Sequence, residues 1–353
     1  MSKSKVTIKD IAQLAGVSRG TVDRVLNKRG KVGESTKASI LKIADELGYQ
    51  KNMIARNLAL NQKKTVHIVI PNHHEDHFWT MVFGGIMSNM EGLQQFNVDL
   101  VFFQFDLYSI KDYLEKLRQA STDTADFVLI APVFTKETLH FLRESSTPVG
   151  KFLAINSEFG EESKMVFVGQ DSYKAGQIAA RLFYNSIHKQ QARILCLTLG
   201  HDGSNAIHIQ KKMEGLQAFN TRHDDKLELI PITIEAFRDQ QELTKICRQL
   251  EVTYPTVDGI FFTNSRATPF VRISQYFSQE QRPLVVGFDL IQENVNLLRN
   301  GTIDYLLDEQ PSAQGRIGLS MIFNHLIYSK SLQPTRYLPI NIVIKENLDD
   351  YLT

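Results

Sequence analysis

The chain has 353 residues, 42% of them apolar and 22% charged, with 40 basic against 39 acidic side chains; this excludes a disordered or fibrous protein and points to two or three domains. The near-neutral total hides an asymmetry. Residues 1–64 hold 14 Lys and Arg against 5 Asp and Glu, so the remainder is acidic and one end suits a polyanion. Polar, basic Met1 to Lys5 leads into no apolar run of signal-peptide length, and no stretch approaches the roughly 20 apolar residues of a membrane helix. Cys196 and Cys247 sit in apolar strand-like and helical patterns. The expectation is a reduced, cytoplasmic protein with no membrane partner and no disulfide framework.

In the basic head, Thr7 precedes Ile8, Ile11, Ala12, Leu14 and Ala15, which recur at helical spacing, and Thr7 with Asp10 outlines a capping box. Gly16 breaks that helix, Val17 offers a buried turn residue, and Ser18 can cap a second helix that turns Val22, Val25 and Leu26 inward. A third helix is predicted from about Ser35 to Leu47, its apolar face made of Ala38, Leu41, Ala44 and Leu47 with Ile40 and Ile43 alongside, and Gly48 ends it. The opposite face of the second helix then presents Ser18, Arg19, Gly20, Asp23 and Arg24, with Lys28, Arg29 and Lys31 in the loop beyond. Arginines on an exposed first helical turn suit the acceptor edge of guanine in the major groove. A merely solvated three-helix bundle is the alternative, and the clustering of cations favours DNA. Residues 1–50 therefore read as a helix-turn-helix DNA-binding domain.

The runs Val6-Thr7-Ile8-Lys9-Asp10-Ile11-Ala12, Ala15-Gly16-Val17-Ser18, Thr21-Val22 and Arg24-Val25-Leu26-Asn27, with Leu47-Gly48-Tyr49 and Asn52, resemble the LacI/GalR family of bacterial transcription regulators. The resemblance implies that the second helix lies in the major groove, giving Arg19, Gly20 and Arg24 the base-reading positions and Thr7, Ser18, Thr21 and Asn27 the phosphates. It implies a hinge helix and linker at 51–64, folding when the two copies of a homodimer meet on a palindromic operator. Leu58 would then wedge into a minor-groove step, with Ala55 and Ala59 permitting close approach. A nucleoid-associated protein follows from the same likeness. Three departures bear on the operator: Gly20 has no side chain to read a base, Asp23 is negative where the family has a small Ser, and Lys51 replaces a common Pro. The operator sequence does not transfer from a relative.

From residue 65 to 353, strand-like runs alternate with helical patterns: Val66 to Ile70, Val98 to Phe103, Phe127 to Ala131, Phe152 to Ile155, Val166 to Gly169, Ile194 to Leu199, Leu227 to Ile232, Gly259 to Thr263 and Leu284 to Phe288. Such alternation predicts an α/β body of two doubly wound parallel sheets, in two lobes, with a boundary near Glu158 to Lys164. Ligands collect at the carboxyl ends of such strands. There stand Asn72 with Phe78 and Trp79, Asp106, Asn156 and Ser157, His201 and Asp202, Phe237 and Arg238, Asn264 and Ser265, and Asp289. Flat rings with amides and carboxylates suit a polyhydroxylated ligand, whose CH faces stack while each buried hydroxyl takes a partner.

This body also resembles the periplasmic sugar-binding-protein fold, especially its ribose-binding-like branch, through His77-Phe78-Trp79, Asn264, Val285-Val286-Gly287-Phe288-Asp289 and Glu309-Gln310-Pro311. The resemblance implies an effector-binding and dimerisation domain at 65–353, with a first lobe of about 65–161 and 310–334 and a second of about 162–309 and 335–353. Phe78, Trp79, Gln210, Phe237, Asn264, Asp289 and Glu309 would line its cleft. Asn156-Ser157 and Gln210 stand where that branch often has an Asp-Arg pair and an Arg, which argues against a simple aldopentose. Asn72-His73-His74-Glu75-Asp76-His77 fits no metal signature and reads as a cleft-mouth loop, where a His could make affinity vary near pH 6 to 7. No Gly-rich phosphate loop or nucleophile elbow is present. The reading is a non-enzymatic regulator, a repressor by expectation, without cofactor or metal, controlled by a small molecule of carbohydrate type; a transporter's solute receptor is the alternative.

Overall fold

A computed structural model describes residues 6–26, 29–47, 49, 63–122, 124–159, 165–200, 206–278 and 282–352. The chain forms two compact units, Met1–Leu60 and Asn61–Thr353. In the first, helices α1 (Ile8–Ala15), α2 (Arg19–Leu26) and α3 (Glu34–Glu46) share a core of Ile11, Ala12, Val22, Val25, Ile40 and Ala44. The capping box forms: the Thr7 amide and hydroxyl both donate to Asp10 Oδ2, at 2.8 and 2.7 Å. Gly16 closes α1 with φ +63°, a left-handed conformation that costs glycine little and other residues more. Ser18 Oγ accepts from the Thr21 amide at 3.2 Å and so starts α2.

Three expected core positions are corrected. Leu14 and Leu41 are 62% and 46% exposed, and Ala38 faces solvent as well. The buried stripe of α3 is Ile40, Ile43, Ala44 and Leu47, whose three- and four-residue spacing aims them at α1 and α2, whereas Ala38 and Leu41 lie around the helix from it. Gly48, the hinge segment and the hinge calls on Ala55, Leu58 and Ala59 lie outside the described residues, as does Asn27.

The second unit contains strands β1 (Lys64–Pro71), β2 (Val98–Phe105), β3 (Phe127–Ile130), β4 (Phe152–Ile155), β5 (Val166–Gly169), β6 (Ala192–Leu199), β7 (Leu227–Ile234), β8 (Gly259–Phe262), β9 (Leu284–Phe288), β10 (Tyr305–Asp308), β11 (Thr335–Tyr337) and β12 (Asn341–Val343). They form two sheets, ordered β11-β5-β4-β3-β1-β2 and β12-β10-β9-β8-β6-β7. All pairings are parallel except β12 on β10. Helices cover both faces, so the central strands are apolar throughout: β3, β4, β5 and β8 are buried at every residue. Each order reverses at its first strand, and that switch point is where a ligand crevice opens.

The lobe boundary moves. The strand Val166–Gly169, expected in the second lobe, pairs with β4 and β11 in the first sheet, and Thr335–Tyr337 joins it there. The chain crosses after Gly169, again between β10 and the helix Pro311–Tyr328, and again between β11 and β12. Sequence patterning missed β10, β11 and β12, which are three or four residues long; β11 is exposed along its length and carries no burial signal. In the second lobe the helices Ser172–Ser186 and Ile207–Thr221 meet backbone to backbone. A Cβ on Gly176 would lie 1.8 Å from the Lys212 carbonyl oxygen, and one on Gly215 1.9 Å from that of Tyr173. This contact fixes the helix that carries His208 and Lys212.

Candidate functional sites

On the first unit, α2 buries Val22 and Val25 and leaves Ser18, Arg19, Gly20 and Arg24 exposed, with Arg29 exposed beyond it. Ser18 and Thr21 bond to each other through their hydroxyls at 3.0 Å, and Arg24 Nε donates back to the Gly20 carbonyl at 3.2 Å. Two exposed arginines therefore stand on the same short helix, five residues and about 140° apart around it. Thr7 is likewise exposed, at the start of α1.

In the second unit, a cavity of about 400 Å³ lies where the carboxyl ends of both sheets face each other. Phe78 and Trp79 come from the helix after β1, Tyr108 from the loop after β2, Val133 and Phe134 from the segment after β3, and Asn156 from the end of β4. From the other lobe come Gly200 after β6, His208 and Lys212 on the helix Ile207–Thr221, Asn264 and Arg266 after β8, Asp289 after β9 and Glu309 after β10. Phe78 and Trp79 pack edge to face at 5.0 Å, with Trp79 only 3% exposed. Asn156 and Asp289, the first residues after β4 and β9, both adopt positive φ, +67° and +65°, and both line the cavity.

The charged groups are arranged in pairs. Lys212 Nζ lies 2.8 Å from Glu309 Oε1, donates to the Thr263 carbonyl at 3.0 Å and sits 3.6 Å from the centre of the Phe288 ring. Arg266 Nη2 lies 2.8 Å from Asp76 Oδ2, so this pair bridges the lobes. Asp289 is buried beside Glu309 and Asp308. Burial first, then those two acids, push its carboxyl well above its usual pKa, while Lys212 and the Glu309 amide pull it back. Burial, with the cations Lys212 and Arg266, pushes the His208 imidazole down to about 3, so it is neutral at any ordinary pH; its Nδ1 is 2.9 Å from Ser157 Oγ.

Phe78, Trp79, Asn156, Asn264, Ser265, Asp289 and Glu309 line the cavity; Asn72, Asp106, Ser157, Gln210, Phe237 and Arg238 do not. Asn72 instead builds its own turn, its amide bonded to Glu75 Oε1 at 2.8 Å. Asp106 does the same through the Tyr108 amide at 2.8 Å. Ser157 is buried one layer behind the lining, against His208. Gln210 stands about 200° around its helix from His208, whereas Lys212 at i+4 returns to the lining side. Phe237 borders a second cavity at the cleft mouth. His201 and Asp202 lie outside the described residues.

The histidine segment divides: His73 stacks on Phe83 at 3.7 Å and bonds Gln104 at 2.7 Å within its own lobe, burial together with His74 lowering its pKa, whereas Glu75, Asp76 and His77 border the cleft-mouth cavity and His77 Nδ1 lies 2.8 Å from Glu293 Oε2 of the other lobe. Sequence reading missed Asp76, Tyr108, His208, Lys212 and Arg266. Asp76 had a signal, since an Asp before His77-Phe78-Trp79 is an N-cap, and its Oδ1 does accept from the Phe78 and Trp79 amides. Among the described residues no group of three His, Cys, Asp or Glu side chains is placed to hold a metal ion, and no helix is long and apolar enough to cross a membrane.

Comparison with known proteins matches residues 7–52 to the bacterial regulatory proteins of the lacI family and residues 67–330 to the periplasmic binding protein domain. The transcriptional regulator RegA of Clostridium saccharobutylicum is 35% identical over 117 residues, 33% of this chain; the chain thus spans about a third (35%) of that relative's length. The ribose operon repressor of Halalkalibacterium halodurans is 24% identical over 345 residues, 96% of both chains. Among solved structures, a putative LacI transcriptional regulator from Bacteroides fragilis superposes with a TM-score of 0.72 at 23% identity, covering 82% of this chain and all of that one, and so shares the fold. With head and body each matched in its own span, the chain carries the helix-turn-helix domain of the lacI family of bacterial regulatory proteins at its head and belongs, through its two-sheet body, to the periplasmic binding protein domain family.

Proposed function

We propose that the chain is a transcriptional repressor that binds a palindromic DNA operator as a homodimer, with operator affinity set by a carbohydrate held between the lobes of its second unit. The observation that carries this reading is one cavity walled by both lobes, in a chain whose other unit exposes Arg19 and Arg24 on a single short helix. A ligand that touches both lobes necessarily has different affinities for their open and closed arrangements. If operator binding also distinguishes those arrangements, the two affinities are reciprocally linked, typically by about 1 to 3 kcal/mol. Arg19 and Arg24 would read base edges, and Thr7, Ser18 and Thr21 would hold phosphates.

The chemistry of the cavity supports a neutral sugar. Two of its three cations are matched by acids, Lys212 by Glu309 and Arg266 by Asp76, while Asn156, Asn264 and Asp289 offer amide and carboxyl groups to hydroxyls and Phe78, Trp79 and Phe134 offer rings to CH groups. The full-length likeness to a ribose operon repressor points the same way. The test is selection of duplexes from a random pool, followed by anisotropy titration of the selected site over a range of salt, with and without a carbohydrate panel. A steep loss of affinity with salt, and a shift of about 5- to 150-fold by one carbohydrate, are expected. Failure to select any duplex at low salt ends the regulator reading; a selected site that no sugar affects ends the carbohydrate reading alone.

A further inference from the structure

Beside the effector cavity lies another of about 310 Å³ at the outer mouth of the cleft, bordered by Phe237, Arg238, Arg272 and Glu293. Asp76, Tyr108, Ser265 and Arg266 border both spaces. They form a wall with contributions from each lobe, since Asp76 and Tyr108 follow β1 and β2 while Ser265 and Arg266 follow β8. The centre of the wall is the Arg266–Asp76 pair at 2.8 Å, whose side chains are 22% and 11% exposed. Both halves are anchored. Arg266 Nη1 donates to the Leu199 carbonyl at 3.3 Å, and the other Asp76 oxygen accepts helix amides from Phe78 and Trp79. A Cβ on Gly200 would lie 3.2 Å from Arg266 Nη1, so the guanidinium fills the space up to the neighbouring backbone. Tyr108 closes the flank, with the Arg238 guanidinium 4.1 Å over its ring and Phe237 6.4 Å away.

We propose that Arg266 determines ligand length: paired with Asp76 it ends the inner chamber after one sugar ring, and a disaccharide can enter only by displacing it into the outer chamber. The inference rests on the carbohydrate reading above and deepens it. Displacing the guanidinium strands the mostly buried Asp76 carboxylate without its cation, a penalty that a monosaccharide never meets. Removing the Arg266 side chain joins the chambers, and the second sugar ring then lies in the outer one, bordered by Phe237 and Tyr108.

The test uses the full chain, with calorimetry and thermal shift against D-ribose, D-glucose, D-galactose and D-allose and against cellobiose, lactose and melibiose. The wild type should bind a monosaccharide and discriminate against disaccharides containing it by about 100-fold, the scale set by breaking a partly buried charge pair. Arg266→Ala should bring the two within about 10-fold of each other, a gain of binding that general destabilisation does not produce. Should Arg266→Ala fail to fold, Tyr108→Ala opens the same wall from the other lobe. Equal binding of mono- and disaccharide by the wild type, or unchanged discrimination in a folded variant, overturns the length assignment and leaves the carbohydrate reading standing. No binding of any of these sugars to any form overturns both.

Discussion

Lys212 is the most consequential single side chain of the second lobe. It is 1% exposed, paired with Glu309 at 2.8 Å, bonded to the Thr263 carbonyl and lodged against Phe288. Lys212→Met keeps most of the side-chain length and apolar packing but leaves Glu309 buried without its cation and removes the charge that holds down the Asp289 pKa. Breaking one side of a buried pair costs about 3 to 5 kcal/mol, so urea unfolding at pH 7.5 should show the second unit destabilised by that order. The sign with pH follows from Asp289. Its folded pKa is raised above the unfolded value, so its contribution to stability is fully present below the unfolded pKa and is lost as pH rises through the folded pKa. Without Lys212 the folded pKa rises further, and the deficit of the variant should shrink between pH 7.5 and pH 5. Adding Glu309→Gln should recover a substantial part of the loss, because the double variant no longer strands that charge. A deficit under about 1 kcal/mol at pH 7.5, or one that does not shrink in acid, would refute the ion-pair account.

Other consequences are open to direct measurement. Arg24→Ala should weaken binding to a selected operator by about 1 to 3 kcal/mol and relax its preference at one base position, with the helical circular dichroism unchanged because the side chain is exposed. Thr7→Ala should cost α1 about 1 kcal/mol through the lost cap, read as faster hydrogen exchange of its amides. The Thr7 side chain and amide lower the Asp10 pKa, so the stabilisation from this cap is present above the unfolded carboxylate pKa and fades as pH falls through the folded one; melting of α1 against pH checks the direction. Gly176→Ala would force a Cβ to within 1.8 Å of the Lys212 carbonyl and should destabilise the second lobe by about 1 to 3 kcal/mol or more in urea titration. Trp79, the single tryptophan and part of the cavity lining, should change emission on binding of a true effector; a ligand confirmed by calorimetry that leaves its spectrum untouched contradicts that placement.

The residues that were legible in the sequence are those whose role is local. Thr7 and Asp10 meet within one helical turn, Gly16 must be left-handed, and β1 to β9 announce themselves as apolar runs between helical patterns, so the fold class follows from periodicity. Strand ends also carried Phe78, Asn156, Asn264 and Asp289 to the cavity, because in parallel sheets every strand delivers its carboxyl end to the same side. What failed was the distinction between a strand-end side chain that forms a turn and one that faces the ligand. Asn72 and Asp106 satisfy backbone and side-chain groups within six residues of themselves, and the same composition would serve either purpose. The partners Asp76–Arg266 and Ser157–His208 are separated by 190 and 51 residues and are brought together only by lobe closure, so no local pattern could report them.

That closure is organised at the three crossings between the lobes. Gln170, at the first crossing, donates from one amide to the Asp308 carbonyl of the second crossing and to the Pro339 carbonyl of the third, and Gln310 donates to Pro339 as well. Three crossings tied at one carbonyl cluster form a pivot with little freedom to shear. Contacts between the lobes include Asp76 with Arg266 and His77 with Glu293, each at 2.8 Å, and Ser157 with His208 and Glu158 with Lys211, each at 2.9 Å. A rotation about the Gln170 cluster therefore separates these pairs and leaves the Lys212–Glu309 pair together, because both of its members belong to the second lobe. Effector binding then has to pay only for ordering the mouth, while the floor of the site is prearranged whether or not a ligand is bound. On this geometry substitutions at Asp76 and Arg266 act on closure and selectivity, whereas substitutions at Lys212 act on the integrity of the lobe itself.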